Sequence, residues 1–406
     1  MALSLTQGFR PPTLSLFHRE FYPPITLPRK QQLPTSPRHK MNPKISTFFK
    51  LARPQILSVS AKLEKKIEAV SDELNRIASQ NLDHAPARRR VRSAFSEVQR
   101  QLDHPLFKMA PTGIRTKEWY EWNSLGSEIF CKSWLPEPGV RIKGALCFCH
   151  GYGDTCTFFF EGIAKRIASS GFGVYALDHP GFGLSEGLHG YVPSFNGLVD
   201  NVIEHYRKIK ERPEVKGLPF FMLGQSMGGA VSLKVLLREP YAWDGIILVA
   251  PMCKISDDVL PPPAALKVLN LLSRVMPKAK LIPQKDLAEL AFRDLKKRET
   301  ALYNVICYND NVRVRTAVEL IQATKDIEAR VDEVSSPLLI IHGAADKVTD
   351  PQVSKFLYEK ASSKDKTLKL YEDCYHSILE GEPGDMGFTV LDDIVAWLDY
   401  RCSSKN

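Results

Sequence analysis

The stretch Leu-Pro-Phe-Phe-Met-Leu-Gly-Gln-Ser-Met-Gly-Gly-Ala (residues 218–230) decides the fold of this 406-residue chain. Its apolar first part predicts a strand, and the small residues at its end open a helical segment that continues to residue 237. Between them, Gly-Gln-Ser-Met-Gly (224–228) predicts a turn so tight that only small neighbours fit beside Ser226. This pattern appears by chance in roughly one such chain in ten, so the flanking strand and helix carry the interpretation.

Apolar strands alternate with helical segments on both sides of this turn. The strands are predicted at 144–149, 174–177, 246–249, 338–341 and 368–371, and the helices at 158–169, 195–210 and 389–400. Two earlier strands, 117–122 and 128–134, flank an Asn-Ser-Leu-Gly turn. Continuous apolar strands that alternate with helices predict an α/β fold, a mostly parallel sheet covered by helices on both faces.

One interval, residues 252–334, interrupts this alternation. It contains no convincing strand, has three consecutive prolines at 261–263, and continues into a helical stretch over 264–276. An insertion of this length predicts a helical cap rather than a loop. The apolar side chains of 264–276 leave two roles open, which are core packing and an apolar entrance for a substrate. A peripheral membrane contact through the cap is compatible with the second role.

The region before the sheet predicts two helices. One covers 60–82, and the second contains the apolar run from Val91 to Leu102 at the same spacing. Pro86 cannot lie inside a helix, so the two are separate around a turn at 83–86. We interpret them as an N-terminal helical arm packed on the body, with a dimerising coiled coil as the alternative. The three arginines at 88–90 are expected to face solvent.

The first 55 residues predict a leader rather than a folded element. They contain nine prolines and no acidic residue before Glu20, and they lack the apolar core of a secretory signal. These features are typical of an organelle transit peptide, and the proline content favours a plastid over a mitochondrion. A disordered basic tail on a cytoplasmic protein is the alternative. The remaining predicted segments are the arm (56–105), the first core part (106–251), the cap (252–334) and the second core part (335–406).

Charge and cysteine content exclude several function classes. The net charge is +9, but residues 1–60 hold nine basic residues and one acid, so the body is nearly balanced and predicts no nucleic-acid surface. The spacing of the eight cysteines matches no metal signature, and Cys147 and Cys149 are expected to share one buried strand face. We expect buried thiols, no metal and no cofactor. No apolar run is long enough to span a membrane.

A serine nucleophile needs a histidine base and an acid that orients it. In sheets with this turn the acid follows the serine and the histidine comes last. Only His342 and His376 follow Ser226. His342 ends an apolar strand, where we expect a structural role, whereas His376 follows the last strand and is the predicted base.

The acid is expected on the loop after the strand that precedes this histidine. Asp346 lies there and is the predicted acid, whereas Asp350 is expected to cap the next helix. Asp373 is only three residues from His376 and would have to curl back to reach it.

Acyl transfer also needs two N–H donors for the oxyanion. The backbone N–H of Met227 is one, because it follows the nucleophile. The second is predicted to be the N–H of Tyr152, in the His-Gly-Tyr-Gly-Asp loop (150–154) after an early strand, where glycines allow the backbone to approach a substrate.

These motifs resemble those of the plant monoacylglycerol lipase-like family of α/β-hydrolases over residues 110–402. The matching segments are His-Gly-Tyr-Gly-Asp (150–154), Asp-His-Pro-Gly-Phe-Gly-Leu-Ser-Glu-Gly (178–187), the turn at 224–228, His-Gly-x-x-Asp (342–346) and His-Ser (376–377). The resemblance implies an esterase acting on monoacylglycerols, in a family that also has lysophospholipase- and caffeoylshikimate esterase-like members. It also implies the triad and the oxyanion donors named above.

Two further interpretations stay open. An acyltransferase would use the same acyl-enzyme with a different attacking alcohol. A non-enzymatic receptor for a small molecule could keep the same fold and all three residues. The oligomeric state and the ester itself are not predicted by any residue pattern.

Overall fold

The computed structural model of this protein describes residues 66–255, 260–284 and 286–403. The predicted transit peptide (1–55), the start of the arm and residues 256–259 of the predicted cap lie outside these ranges, so what was predicted for them stays a prediction. Among the described residues, no helix combines the length and the apolar character that crossing a membrane requires.

Eight of the ten strands in the described residues form one sheet, in the order β1-β2-β4-β3-β5-β6-β9-β10. The strands are β1 (Arg115–Trp122), β2 (Glu128–Leu135), β3 (Gly144–Cys149), β4 (Phe172–Leu177), β5 (Phe220–Gln225), β6 (Gly245–Val249), β7 (Lys280–Ile282), β8 (Val312–Arg313), β9 (Leu338–Gly343) and β10 (Lys366–Tyr371). Only the β1–β2 and β2–β4 pairs of this sheet are antiparallel. The predicted parallel sheet is confirmed.

Helices cover both faces of the sheet. They are α1 (Asp72–Ala78), α2 (Ala85–Arg100), α3 (Pro105–Lys108), α4 (Phe159–Ser169), α5 (Phe195–Lys210), α6 (Met227–Arg238), α7 (Pro263–Val275), α8 (Leu287–Ala291), α9 (Leu295–Ala301), α10 (Val314–Glu328), α11 (Pro351–Lys360) and α12 (Met386–Ser403). One apolar cluster contains residues of α5, α6, α10 and α11, and the other contains residues of α2, α3, α4 and α12. Cys147 and Cys149 of β3 face the first cluster and Phe148 faces the second, so the predicted shared face of the two cysteines is confirmed.

The arm has two helices, as predicted, but the first is shorter than expected. The predicted helix over 60–82 is wrong for residues 66–71 and 79–82, since α1 begins only at Asp72, with Ser71 as its N-cap, and ends at Ala78. Ala69 has a positive φ of 59°, and the Asn75 side chain bonds both the N–H and the C=O of Ile67. Residues 67–71 therefore form a non-helical turn. Pro86 lies in the first turn of α2, where backbone N–H groups have no intrahelical acceptor, so its missing N–H costs no hydrogen bond.

The predicted absence of strands from 252–334 is also wrong. β7 and β8 pair in antiparallel fashion, and at three and two residues they are too short to produce a readable alternation. Helix α10 of the same interval packs on α6, and its Ala323 and Ile327 join the apolar cluster of the core. The interval therefore contributes a helix that covers the core, and its role as a cap stays a prediction.

The predicted solvent-facing arginine cluster is wrong for Arg88, which is fully buried. Its guanidinium donates to the backbone carbonyls of Gly183 (2.6 Å) and Ser185 (2.5 Å), and also to those of Leu82 (2.9 Å) and Asp83 (3.2 Å). Arg90 alone of the three arginines is exposed. A fork of five N–H donors suits a cluster of backbone carbonyls, so Arg88 fastens the arm to the loop 178–190.

Replacing Arg88 with Met should therefore destabilise the protein by about 3 kcal/mol or more, because several buried carbonyls would lose their donors. Urea unfolding followed by circular dichroism measures this. Arg90→Met removes the same charge from the same helix at an exposed position and should change the free energy of unfolding by less than about 0.5 kcal/mol. Equal effects of the two substitutions would contradict the buried role of Arg88.

Candidate active site

The turn between β5 and α6 places Ser226 in a conformation that L-residues rarely adopt, with φ 53° and ψ −119°. Neighbouring glycines make this possible. A Cβ at Gly224 would lie 2.5 Å from the Gly228 carbonyl oxygen, and a Cβ at Gly228 would lie 1.9 Å from the carbonyl oxygen of Cys149. The predicted tight turn is present, and the spacing of its glycines reflects two backbone contacts that exclude any side chain.

The loop after β3 passes directly beside this serine. A Cβ at Gly151 would contact the Ser226 Cβ at 3.4 Å and its Oγ at 3.9 Å. Met227 is the first residue of α6, so its N–H belongs to the first turn, which has no intrahelical acceptors. The structure thus places Gly151, the residue before Tyr152, beside Ser226, and Met227 directly after it at the start of α6.

Side chains and the cap hold this loop in place. The Tyr152 hydroxyl donates to the Gly190 carbonyl (3.2 Å), and its ring lies edge-on to Phe182 and Tyr308. The Tyr308 N–H, from the cap interval, donates to the Gly153 carbonyl (2.8 Å). His150 accepts the N–H of His179 at Nε2 (2.9 Å), which fixes the start of the loop.

The predicted acid and base are hydrogen-bonded to each other. Asp346, after β9, lies 2.7 Å through its Oδ2 from the Nδ1 of His376, which follows β10. Asp350 caps α11 by accepting the Gln352 N–H (2.8 Å), as predicted. β5, β9 and β10 run in the same direction, so their carboxyl ends place these loops at the edge of the sheet that carries Ser226.

Two further residues bind the acid, and sequence reasoning assigned neither to it. His342 is buried and donates from Nε2 to Asp346 Oδ2 (3.0 Å), while its Nδ1 accepts the Ser354 hydroxyl (2.6 Å). The Thr349 hydroxyl lies 2.9 Å from the same carboxylate oxygen and 3.2 Å from the Ala250 carbonyl. The expected structural role of His342 is thus a specific one. An imidazole four residues before the acid was the only available signal.

The electrostatics of Asp346 favour the carboxylate. Burial alone would raise the pKa of this carboxyl. The His376 and His342 imidazoles outweigh that effect and hold its pKa well below the usual range. The backbone N–H groups of Val348 (2.7 Å) and Thr349 (3.1 Å) bind the other oxygen. Asp346 therefore remains ionised throughout the pH range in which a histidine titrates.

A second buried carboxyl near the site was not predicted. Glu380 accepts the Gln225 side-chain amide at Oε1 (3.0 Å), and its own carbonyl lies 2.9 Å from His104 Nε2 in the arm. Its Oε2 has no hydrogen-bond partner among the described residues. Burial and the nearby Asp154 carboxylate raise the pKa of Glu380 to about 7, although Gln225, Ser377 and His376 act in the opposite direction.

This raised pKa predicts a pH-dependent stability. Below about pH 4.5 the carboxyl is protonated in both the folded and the unfolded chain, and it then contributes no difference. Between about pH 4.5 and 7 the unfolded chain ionises this carboxyl while the folded state keeps it protonated, which lowers the free energy of unfolding by about 3 kcal/mol in total; above about pH 7 both states are ionised and the loss is complete. Glu380→Gln should remove this loss, so the variant should gain stability relative to the wild type between pH 5 and 8.

Urea unfolding of both proteins at a series of pH values measures this difference. Other titrating groups cancel in the comparison because the two proteins share them. A difference that stays constant from pH 5 to 8 would contradict the raised pKa of Glu380.

One cluster of potential metal ligands lies elsewhere in the described residues. Atoms of Glu121, Cys131 and His205 lie within 4.8 Å of one another. The His205 Nδ1 and Glu121 Oε1 atoms are 2.7 Å apart and bond directly, and burial raises the pKa of the Cys131 thiol, which favours its neutral form. The arrangement fits a hydrogen-bonded pair beside a thiol better than a metal site.

Comparison with known proteins places this geometry in a family. The Hydrolase_4 family, described as serine aminopeptidase S33, matches residues 140–384. Caffeoylshikimate esterase of Arabidopsis thaliana is 34% identical over 290 residues, which cover 71% of this chain and 87% of that protein. Monoglyceride lipase of Rattus norvegicus is 32% identical over 285 residues, which cover 69% and 89%.

Solved structures agree on the fold. A soluble variant of monoglyceride lipase from Saccharomyces cerevisiae, in complex with a substrate analog, has a TM-score of 0.60 at 23% identity, covering 72% of this chain and 99% of that one. The monoacylglycerol lipase of Paleococcus ferrophilus has a TM-score of 0.57 at 22% identity, covering 71% and 99%. From its sequence match and its fold, the chain belongs to the Hydrolase_4 family of α/β-hydrolases, in which it is similar to caffeoylshikimate esterase and the monoglyceride lipases.

Proposed function

We propose that this protein is a serine carboxylester hydrolase that cleaves a monoacylglycerol or a related lipid ester through an acyl-enzyme on Ser226. The observation that carries the proposal is the 2.7 Å contact between Asp346 and His376 at the sheet edge that also holds the strained serine turn. The curated relatives named for esterase or lipase activity support the substrate class.

The first half of the reaction forms the acyl-enzyme. His376 Nδ1–H donates to the Asp346 carboxylate, which leaves Nε2 as the acceptor that removes the Ser226 hydroxyl proton. The Ser226 Oγ attacks the ester carbonyl, and the resulting oxyanion accepts the N–H groups of Tyr152 and Met227. Collapse of this intermediate breaks the ester bond, and the imidazolium returns the proton to the departing alcohol.

The second half consumes water. His376 accepts a proton from water, the hydroxide formed attacks the acyl carbonyl, and a second oxyanion occupies the same two donors. Ser226 leaves with the proton from the imidazolium, and the carboxylic acid is released. Asp346 stays ionised throughout and stabilises the imidazolium, in agreement with its lowered pKa.

Removing the nucleophile tests this mechanism. Ser226→Ala should lower kcat on a monoacylglycerol or a short p-nitrophenyl ester by at least about a thousandfold, because only binding and oxyanion stabilisation remain. The midpoint temperature of thermal unfolding should be unchanged or slightly higher. Ser232→Ala, a buried serine in the helix after the turn, is the matched control and should retain activity. Unchanged turnover by Ser226→Ala would exclude the mechanism.

A receptor on the same fold is the competing class, and a fluorophosphonate probe distinguishes it. An enzyme should be labelled at Ser226, whereas a chain that never activates this serine should not be.

A substrate panel then separates the members of the enzyme class. Its arms are a monoacylglycerol, a lysophospholipid, a hydroxycinnamoyl ester and, in view of the description of the family, an aminoacyl amide. Competing alcohols in the assay distinguish acyl transfer from hydrolysis.

We also propose that helix α7 contacts a lipid surface. Leu271 and Val275 are 63% and 71% exposed and lie one turn apart, with Val268 on the same side. Exposed apolar residues that share a helix face mark interaction surfaces more often than singly scattered ones do. This surface could bring the active site to an ester dissolved in a membrane.

The double variant Leu271→Glu/Val275→Glu should bind phosphatidylcholine vesicles at least about tenfold more weakly, because it loses two apolar side chains that would insert into the lipid and gains two charges. Its turnover of a soluble short-chain ester should stay the same. Leu125→Glu, at the exposed β1–β2 turn, is the control and should leave sedimentation with vesicles unchanged. Equal partitioning of the double variant and the wild type would refute the contact.

A further inference from the structure

A cleft of about 290 Å³ lies between the N-terminal arm and the sheet, outside the site described above. Its walls come from α2, α3 and α4 and from the strand β2. α2 and α3 precede residue 140, where the match to the family begins, so the arm supplies part of the cavity wall from outside the matched residues. The loop at 157–158, seven residues after His150, completes the wall.

Charged side chains form one side of the cleft, and their positive charges outnumber their negative charges. Lys132 is almost completely buried and lies 2.7 Å from both Glu118 and Glu161. Arg92 also pairs with Glu118 (2.8 Å), and Lys165 also pairs with Glu161 (3.2 Å). Three cations therefore share two carboxylates, which leaves one excess positive charge in this network.

The two carboxylates stay ionised in spite of their surroundings. Burial alone would raise the pKa of both Glu118 and Glu161, but the Lys132 ammonium outweighs it and lowers both. Arg100, at the rim, pairs with Glu97 (2.6 Å) and adds no further excess charge. The network thus remains one positive charge in excess at neutral pH.

Apolar side chains form the opposite side. The Phe107 and Phe158 rings meet edge to face at 5.2 Å, and Leu106 is buried beside them. Ala110 is half-buried at the wall and leaves room for a larger side chain or for a ligand. A cavity with an aromatic wall and a few convergent charges is typical of a site for a small organic molecule, and its volume is at the lower end of the usual range.

We propose that this cleft binds an organic monocarboxylate, with its carboxylate beside Arg92 and Lys165 and its apolar body against Phe107 and Phe158. A single negative charge completes the network of three cations and two carboxylates, whereas a neutral ligand leaves the excess charge unpaired. The small volume selects a short apolar body, such as that of a medium-chain fatty acid or of a hydroxycinnamate.

Such an acid is also what ester hydrolysis releases. That link to a reaction product rests on the proposed function, whereas binding in the cleft does not. A binding experiment on the inactive full-length Ser226→Ala variant therefore tests the cleft separately from catalysis. Isothermal titration calorimetry with decanoate, p-coumarate, acetate and 1-decanol covers both candidate acids, the bare charge and the bare apolar chain.

Decanoate or p-coumarate should bind saturably, and the stronger of the two identifies the kind of acyl body. Acetate and 1-decanol should bind at least about tenfold more weakly, since acetate lacks the apolar body and 1-decanol lacks the carboxylate. Lys165→Ala should weaken binding of the acid about tenfold, because it removes the excess positive charge. Arg166→Ala, the next residue of α4 and outside the cleft, is the matched control and should change nothing.

A second variant tests the position of the ligand without changing charge. Ala110→Trp should fill the cleft and abolish the binding, while an acid bound at Ser226 would be unaffected. Binding that survives both Ala110→Trp and Lys165→Ala would overturn the proposal. So would the absence of binding by both acids, or equal binding of acetate or 1-decanol.

Discussion

The close approach of β3, β5 and the start of α6 is the constraint on which the rest of the site depends. A Cβ at Gly228 would meet the carbonyl oxygen of Cys149, the last residue of β3. The serine turn therefore packs against the residue immediately before His150. Because one backbone contact fixes both the serine turn and the start of the loop 150–154, Ser226 and that loop are positioned together without help from the side chains of the proposed triad.

The second layer around the site comes from segments far apart in the chain. The loop 178–190 lies between the arm and the site. It receives the guanidinium of Arg88 on one side and supplies the Gly190 carbonyl to the Tyr152 hydroxyl on the other. The cap interval adds the Tyr308 N–H on Gly153. The arm is therefore linked to the loop 150–154 through the loop 178–190, although the arm lies outside residues 140–384, which the family model matches.

Sequence reasoning succeeded where one physical rule dominates a stretch of chain. The continuous apolar runs around Cys147 and Leu248 predict buried parallel strands, and the glycines beside Ser226 predict the turn. It failed where a distant partner decides. Nothing local distinguishes Arg88 from Arg90, because burial of Arg88 becomes favourable only when the carbonyls of a loop ninety-five residues away join those of Leu82 and Asp83 around its guanidinium. The helix predicted before Asp72 does not form, because the Asn75 side chain hydrogen-bonds the backbone of Ile67 there.

The two carboxyls around His376 show why charge states, too, are invisible in the sequence. Asp346 receives five hydrogen-bond donors, three on Oδ2 and two on Oδ1, and its pKa falls although it is buried. Glu380 is as deeply buried, but Gln225 donates to one oxygen, the other lacks a partner among the described residues, and Asp154 repels it. His376 favours the ionised form of both acids, so the number of donors and the repulsion from Asp154 decide between them. Near pH 7 the imidazole therefore faces one permanent negative charge, in Asp346, and a second that depends on protonation of Glu380.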